Sequence, residues 1–239
     1  MARRPAPLQV SFLGYPGTMG AGFIDYIVAD ATVLPRKDFG NFNEKAAWLP
    51  DSYQVCDVRR PISEPAPTHA QCGLPEGAFV FCCFNAAYKI TPETFQSWMR
   101  LLAAAENSVL WLASPNPTAA ANLRAAAQVS GIAPDRLIFA PRVPSIADHL
   151  ARHRQADLFL DTPPYNAHIT AADAAQEEAR TKPRHHAAFR YQAFRAPYRG
   201  RLCKDVAALS ERGARGKLRG RDVRPRTEKP RQAQSKRLC

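Results

Sequence analysis

After residue 77 the apolar positions of the chain fall into regular blocks. Residues 78–84 (AFVFCCF) form a continuous apolar run of strand length. Residues 91–105 follow with Thr91 in the N-cap position, Pro92 at the first helical position, and Phe95, Trp98, Met99 and Leu102 on one face. A second strand is predicted at 108–113 (SVLWLA), and a second helix at 117–131, closed by Gly131. Residues 136–140 (RLIFA), 145–154 (SIADHLARHR) and 157–161 (DLFLD) continue the series as strand, helix, strand. Strands that are apolar throughout, separated by helices, predict a parallel sheet covered on both faces and joined by right-handed crossovers. Upstream, residues 8–15 (LQVSFLGY) predict a strand ending in the turn PGTMG, and residues 21–30 (AGFIDYIVAD) space their apolar positions as a helix does. Prolines and polar residues punctuate 30–75, where only 45–53 (KAAWLPDSY) suggests a short strand and turn.

Charge divides the chain in two. Residues 1–173 hold 14 Lys and Arg against 15 Asp and Glu, and residues 174–239 hold 19 against 6. The net +12 therefore resides in the tail and says nothing about the partners of the patterned body. The tail is poor in branched aliphatics and has no sustained period, so it cannot offset a chain entropy of about 1–2 kcal/mol per residue and is expected to be disordered. A signal-peptide stretch is lacking, and no apolar run reaches membrane-span length. Cys56, Cys72, Cys82, Cys83, Cys203 and Cys239 form no CxxC pair, which predicts reduced thiols in a cytoplasmic setting.

In parallel sheets ligands sit at the carboxyl ends of the strands, where helix N-termini present unpaired N–H groups to anions. The connections there are 84–89 (FNAAYK), 114–117 (SPNP), 141–144 (PRVP) and 162–170 (TPPYNAHIT), the first and last unusually polar. From spacing alone, Lys89 is either a solvated charge or a cation at the rim where a phosphate would rest, and Asn85 either orients that loop or caps a turn. His149 shares a helix face with Ile146, Leu150 and His153, a stripe that packs on a sheet. His149 and His153 stand at i, i+4, but no third ligand has fitting spacing, so a metal site is rejected. Arg152 reads as an exposed helix charge near the same face. Asn166, His168 and Thr170 open a helix where they either cap it or meet a phosphate, and Asp173 lies one turn further on. The segment GYPGTMG has neither dinucleotide-fingerprint nor Walker A spacing.

Taken in order, QVSFLGYPGTMGAGFIDYIVAD, WLPDSYQV, FCCFNAAYKITPETFQSWMRLL, NSVLWL, RLIFAPRVP and ADLFLDTPPYNAHITAADA resemble the catalytic region of the O-linked N-acetylglucosamine transferase family, in its bacterial TPR-containing, SPINDLY-like branch. The resemblance spans residues 8–174. It implies an α/β fold, part of a GT-B glycosyltransferase with Rossmann-like parallel sheets, using UDP-N-acetylglucosamine as donor, protein Ser or Thr as acceptor, and no metal. On this mapping residues 1–72 end the N-terminal catalytic domain and its connector. Residues 73–173 are the first half of the C-terminal nucleotide-sugar domain, and 174–239 the basic tail. Lys89 matches the lysine that neutralises the departing diphosphate. Leu13 and Gly14 match positions near the donor sugar, and Asn85 joins the nucleotide-sugar set. His149 and Arg152, with the Val143 backbone, match the nucleoside contacts. His168 and Thr170 match the phosphate-binding turn, and Asp173 the ribose contact.

The chain departs from the family pattern at several points. Ile169 stands at the first of two usual threonines, Ala86 replaces an amide residue, and Ser145 replaces a lysine found in some relatives. The interval before His149 is one residue longer than usual. After ITAADA the family's continuation is replaced by AQEEARTKPRHH and an arginine-rich run, which reads as translation in a shifted frame. The family's TPR array and the start of its first catalytic domain would precede LQVSFLGY. A fragment with little or no activity alone is therefore expected. The alternative is a non-catalytic protein whose tail attracts nucleic acid or acidic partners through charge.

Overall fold

The computed structural model describes residues 2–57 and 59–181, with side chains through residue 176. The chain forms two compact units that part between Pro61 and Ile62, upstream of the expected junction near Gly73.

In the first unit β1 (Val10–Ser11), β2 (Tyr26–Ala29) and β3 (Lys45–Trp48) form a parallel sheet in the order β1-β2-β3. Ile27, Ala29 and Leu34 are buried against Phe39, Phe42 and Trp48, and the Trp48 indole donates to the Leu34 carbonyl at 2.9 Å. The helix expected over 21–30 is instead a turn leading into β2. Tyr26, Ile27 and Val28 are strand formers, and the Asp25 and Tyr26 amides donate to the Gln9 carbonyl, drawing the segment alongside β1. The strand expected over 8–15 shortens to two residues because the chain turns at Leu13. Its φ is +63°, and the Gly14 amide folds back onto the Phe12 carbonyl at 2.9 Å. That conformation is costly for a residue with a branched side chain.

The second unit holds β4 (Phe79–Cys83), α1 (Pro92–Ala104), β5 (Ser108–Ala113), α2 (Pro117–Val129), β6 (Leu137–Ala140), α3 (Ile146–Ala151), β7 (Leu158–Phe159) and α4 (Ile169–Thr181). The sheet is parallel throughout, in the order β6-β5-β4-β7. Phe81, Cys83, Leu110, Leu112 and Leu137 meet Phe95, Trp98, Met99, Leu101 and Leu102 of α1 on one face. Val80, Cys82, Phe84, Val109 and Trp111 meet Leu74 and Ala78 on the other. The expected alternation of strand and helix is thus realised.

Local chemistry explains the helix ends. Thr91 caps α1 by accepting from the Thr94 amide, and Asn116 caps α2 by accepting from the Ala119 amide. The C-cap of α2 is Ser130; Gly131 follows it with φ +76°, the left-handed position that terminates helices. Arg136 satisfies the far end of α1, donating to the carbonyls of Leu102 and Ala105 at 2.8 and 2.7 Å. The expected third helix divides at Arg152, and residues 152–155 tighten into a 3-10 turn. α4 runs on through residues 174–181, and the remainder of the expected tail lies outside the described residues.

Candidate functional site

The strand order places a reversal between β4 and β7. The chain steps outward from β4 through β5 to β6, then returns to the far side of β4. The connections after β4 and β7 therefore diverge at the carboxyl end of the sheet, the place where such sheets open a crevice. The polar connections read from the sequence as FNAAYK and TPPYNAHIT are the two that meet there. A shallow depression of about 480 Å³ between Pro67, Glu76 and Gln155 lies at the opposite end, before β4 and β7.

Three groups hold the turn after β7. The Asp161 carboxylate accepts from the Thr162 amide at 2.8 Å, the Ala167 amide at 2.6 Å and the Asn166 side-chain amide at 2.5 Å. The Thr94 hydroxyl, on the first turn of α1, donates to the Pro163 carbonyl at 2.7 Å. The Asn85 amide donates to the Thr162 hydroxyl at 2.7 Å, and its oxygen accepts from Thr170 at the start of α4.

Lys89 ends a 3-10 turn, Ala87–Lys89, just before the α1 cap. Its ammonium lies 4.2 Å from the centre of the Tyr165 ring and 3.5 Å from the Asn166 carbonyl. Among the described residues it forms no ion pair. The cation therefore rests against the turn that leads into α4, whose first N–H groups have no intrahelical acceptor. Burial, reinforced by the Lys89 charge, holds the His168 imidazole below its ordinary pKa, with Asp161 opposing. Ile169, the first residue of α4, is 61% exposed.

A second group forms around α3. His149 lies with its Nε2 3.9 Å from an Asp173 oxygen on α4. The Arg152 guanidinium donates to the Pro141 carbonyl at 2.8 Å and lies 2.6 Å from His149 Nδ1. Arg152 is not the exposed helix charge expected. The helix tightens into a 3-10 turn at this point, and Arg152 is 7% exposed, its guanidinium 4.3 Å from the centre of the Phe84 ring and 6.0 Å from that of Trp111. Ile146, expected on the packed stripe, is 64% exposed instead, whereas Leu150 and His153 are buried. Val143 is half-buried in the connection after β6. His153, packed edge-on to Phe84 at 5.1 Å, is pushed down to about pKa 3 by burial first and by His149 and Arg152 second. Among the described residues no cluster of three His, Cys, Asp or Glu side chains is set to hold a metal.

The second unit thus brings Asn85, Lys89, His168 and Thr170 to one rim and His149, Arg152 and Asp173 beside it. Leu13 and Gly14 belong to the first unit. There the buried Glu44 carboxylate fixes the loop that follows them, accepting from the Thr18 hydroxyl at 2.7 Å and the Met19 amide at 2.6 Å. Asp161, Thr162, Tyr165 and Thr94 were not among the candidates. An acidic residue closing a strand and followed by Thr-Pro-Pro was the one local sign of the turn that Asp161 builds.

Comparison with known proteins gives consistent matches. The family described as glycosyl transferase family 41 matches residues 1–65 and 60–178. A probable UDP-N-acetylglucosamine–peptide N-acetylglucosaminyltransferase SEC of Arabidopsis thaliana is 39% identical over 177 residues, 72% of this chain and 18% of the relative. The probable SPINDLY transferase of Petunia hybrida is 33% identical over 178 residues, 73% of this chain and 19% of the relative. The chain thus spans about a fifth of the length of these curated relatives. A mutant O-GlcNAc transferase of Thermobaculum terrenum superposes with a TM-score of 0.65 at 26% identity, covering 91% of this chain and 45% of that one.

Proposed function

The chain belongs to glycosyl transferase family 41, and from that premise we propose that its second unit carries the nucleotide-sugar subsite of a protein O-glycosyltransferase. The donor on this reading is UDP-N-acetylglucosamine, and the acceptor a Ser or Thr hydroxyl of a protein. As the acceptor oxygen bonds to the sugar's anomeric carbon and releases its proton to solvent, the bond to the β-phosphate oxygen breaks and its electron pair leaves with UDP. Negative charge grows on that phosphate, and the Lys89 ammonium offsets it, with the N–H groups at the start of α4 beside His168 and Thr170. Such groups stabilise the transition state more than the bound donor. His149 and Arg152 hold the nucleoside next to the Val143 backbone, and Asp173 accepts from the ribose.

What carries the reading is the meeting of Lys89 with the turn into α4 at the sheet reversal, from segments 77 residues apart. Titration calorimetry tests it. The chain is expected to bind UDP, and Lys89→Ala to weaken UDP about tenfold while leaving uridine binding unchanged, since a charge-assisted contact to phosphate is worth about 1.5–3 kcal/mol. A folded chain that takes up no UDP overturns the proposal. Transfer by the chain alone is expected to be slight, and a radiolabelled N-acetylglucosamine assay on a Ser/Thr peptide measures it.

A further inference from the structure

Resting on that reading of the site, we infer that Asn85 acts as a positioning residue: its side-chain amide fixes the distance between Lys89 and the first turn of α4. Asn85 is 4% exposed and Thr162 is fully buried, and the polar atoms of both are committed to each other, to Thr170 and to the Tyr165 carbonyl. What they offer is a directed chain of hydrogen bonds. The Thr170 hydroxyl donates to the Asn85 oxygen, the Asn85 amide donates to the Thr162 hydroxyl at 2.7 Å, and Thr162 donates to the Tyr165 carbonyl at 3.0 Å. The Tyr165 ring in turn faces the Lys89 ammonium at 4.2 Å.

The chain of bonds joins the turn after β4 to the turn after β7 and to the α4 start, alongside the Lys89–Asn166 and Thr94–Pro163 contacts. Two of its links span 77 and 85 residues. Its polarity has a consequence. The Thr170 proton is committed inward, so this end of α4 presents backbone N–H groups to an anion while the hydroxyl serves the frame. Asn85 therefore acts on the diphosphate through placement of other groups, and not on the nucleoside, which His149 and Arg152 would hold elsewhere on the rim.

Calorimetry with UDP and with uridine on the full chain separates placement from general loss of structure. Asn85→Ala is expected to weaken UDP about tenfold or more and to leave uridine unchanged, the size expected when a buried hydrogen-bond frame is broken. Thr170→Val, isosteric but without the hydroxyl, is expected to give a similar loss that does not add to the first in the double variant, and Thr170→Ser to restore binding. Equal losses for UDP and uridine, or none, overturn the inference. Should Asn85→Ala fail to fold, Thr170→Val and Thr170→Ser carry the test. Amide exchange without nucleotide gives a readout that does not depend on the donor. Protection over residues 172–175, the first amides of α4 that the helix bonds, is expected to fall in Asn85→Ala and in Thr170→Val, and unchanged protection overturns the inference. Absence of UDP binding by the wild-type chain overturns the family reading of the site, and is thereby distinguishable.

Discussion

His153 shows how burial, reinforced by positive charge beside it, can make a residue matter to stability. In the folded chain its ring stays neutral down to about pH 3, whereas in the unfolded chain it takes a proton near pH 6.5. Between those values the unfolded state binds a proton that the folded state refuses, so stability falls as pH falls through this window, by up to about 1.4 kcal/mol per unit. Above it, this group has no effect. Thermal unfolding of the second unit is expected at lower temperature at pH 5 than at pH 7, and His153→Phe to reduce the difference. A wild-type transition that does not move between those pH values contradicts the account. Arg152 makes the neighbouring case: its planar guanidinium bonds Pro141 and His149 while stacking on Phe84, a combination a lysine cannot reproduce. Arg152→Lys is expected to weaken uridine several-fold in calorimetry, the converse of Lys89→Ala. At this scale the sequence disclosed residue types placed after strand ends, Lys89 and His168 among them. It did not disclose that Arg152 is buried, because that depends on where α3 tightens and not on any pattern in the residues around it.

Elements were legible where their ends carry their own chemistry. Thr91 followed by Pro92, and Asn116 followed by Pro117, mark two helix starts that need no tertiary information. β2 was not legible, since four residues are too few for a period to decide between helix and strand. Its pairing with β1 decides through the Gln9 carbonyl. The first turn of α1 also has a role beyond its own stability, because the Thr94 hydroxyl holds the Pro163 carbonyl. Two substitutions of similar expected cost separate the roles. Asn116→Ala removes the α2 cap at about 1 kcal/mol, and Thr94→Val removes the Pro163 bond at about 1 kcal/mol. Chemical denaturation is expected to give comparable losses, yet only Thr94→Val is expected to weaken UDP, because only that bond reaches the turn beside Lys89. Equal effects on UDP would mean that the turn after β7 is fixed without α1.

For the whole molecule the distribution of charge decides how any binding measurement must be made. Residues 1–173 are close to neutral, while 174–239 carry 19 basic against 6 acidic residues. Polyanions are attracted to such a tail without any site, and that attraction weakens as added salt lowers the entropy gained by releasing their counterions. A contact held by Lys89 and the α4 start is local, and salt screens a short, partly buried contact much less than charges farther apart than a Debye length of about 8–10 Å. Retention on immobilised polyanion is therefore expected to be strong for the full chain at low salt and to fall steeply on raising it. A chain ended at Thr181 is expected to lose that retention while keeping its UDP affinity within about twofold, since the groups proposed to hold the diphosphate all precede that point. If ending the chain there abolishes UDP binding as well, the nucleotide was held by the tail, and the crevice between β4 and β7 is not its site.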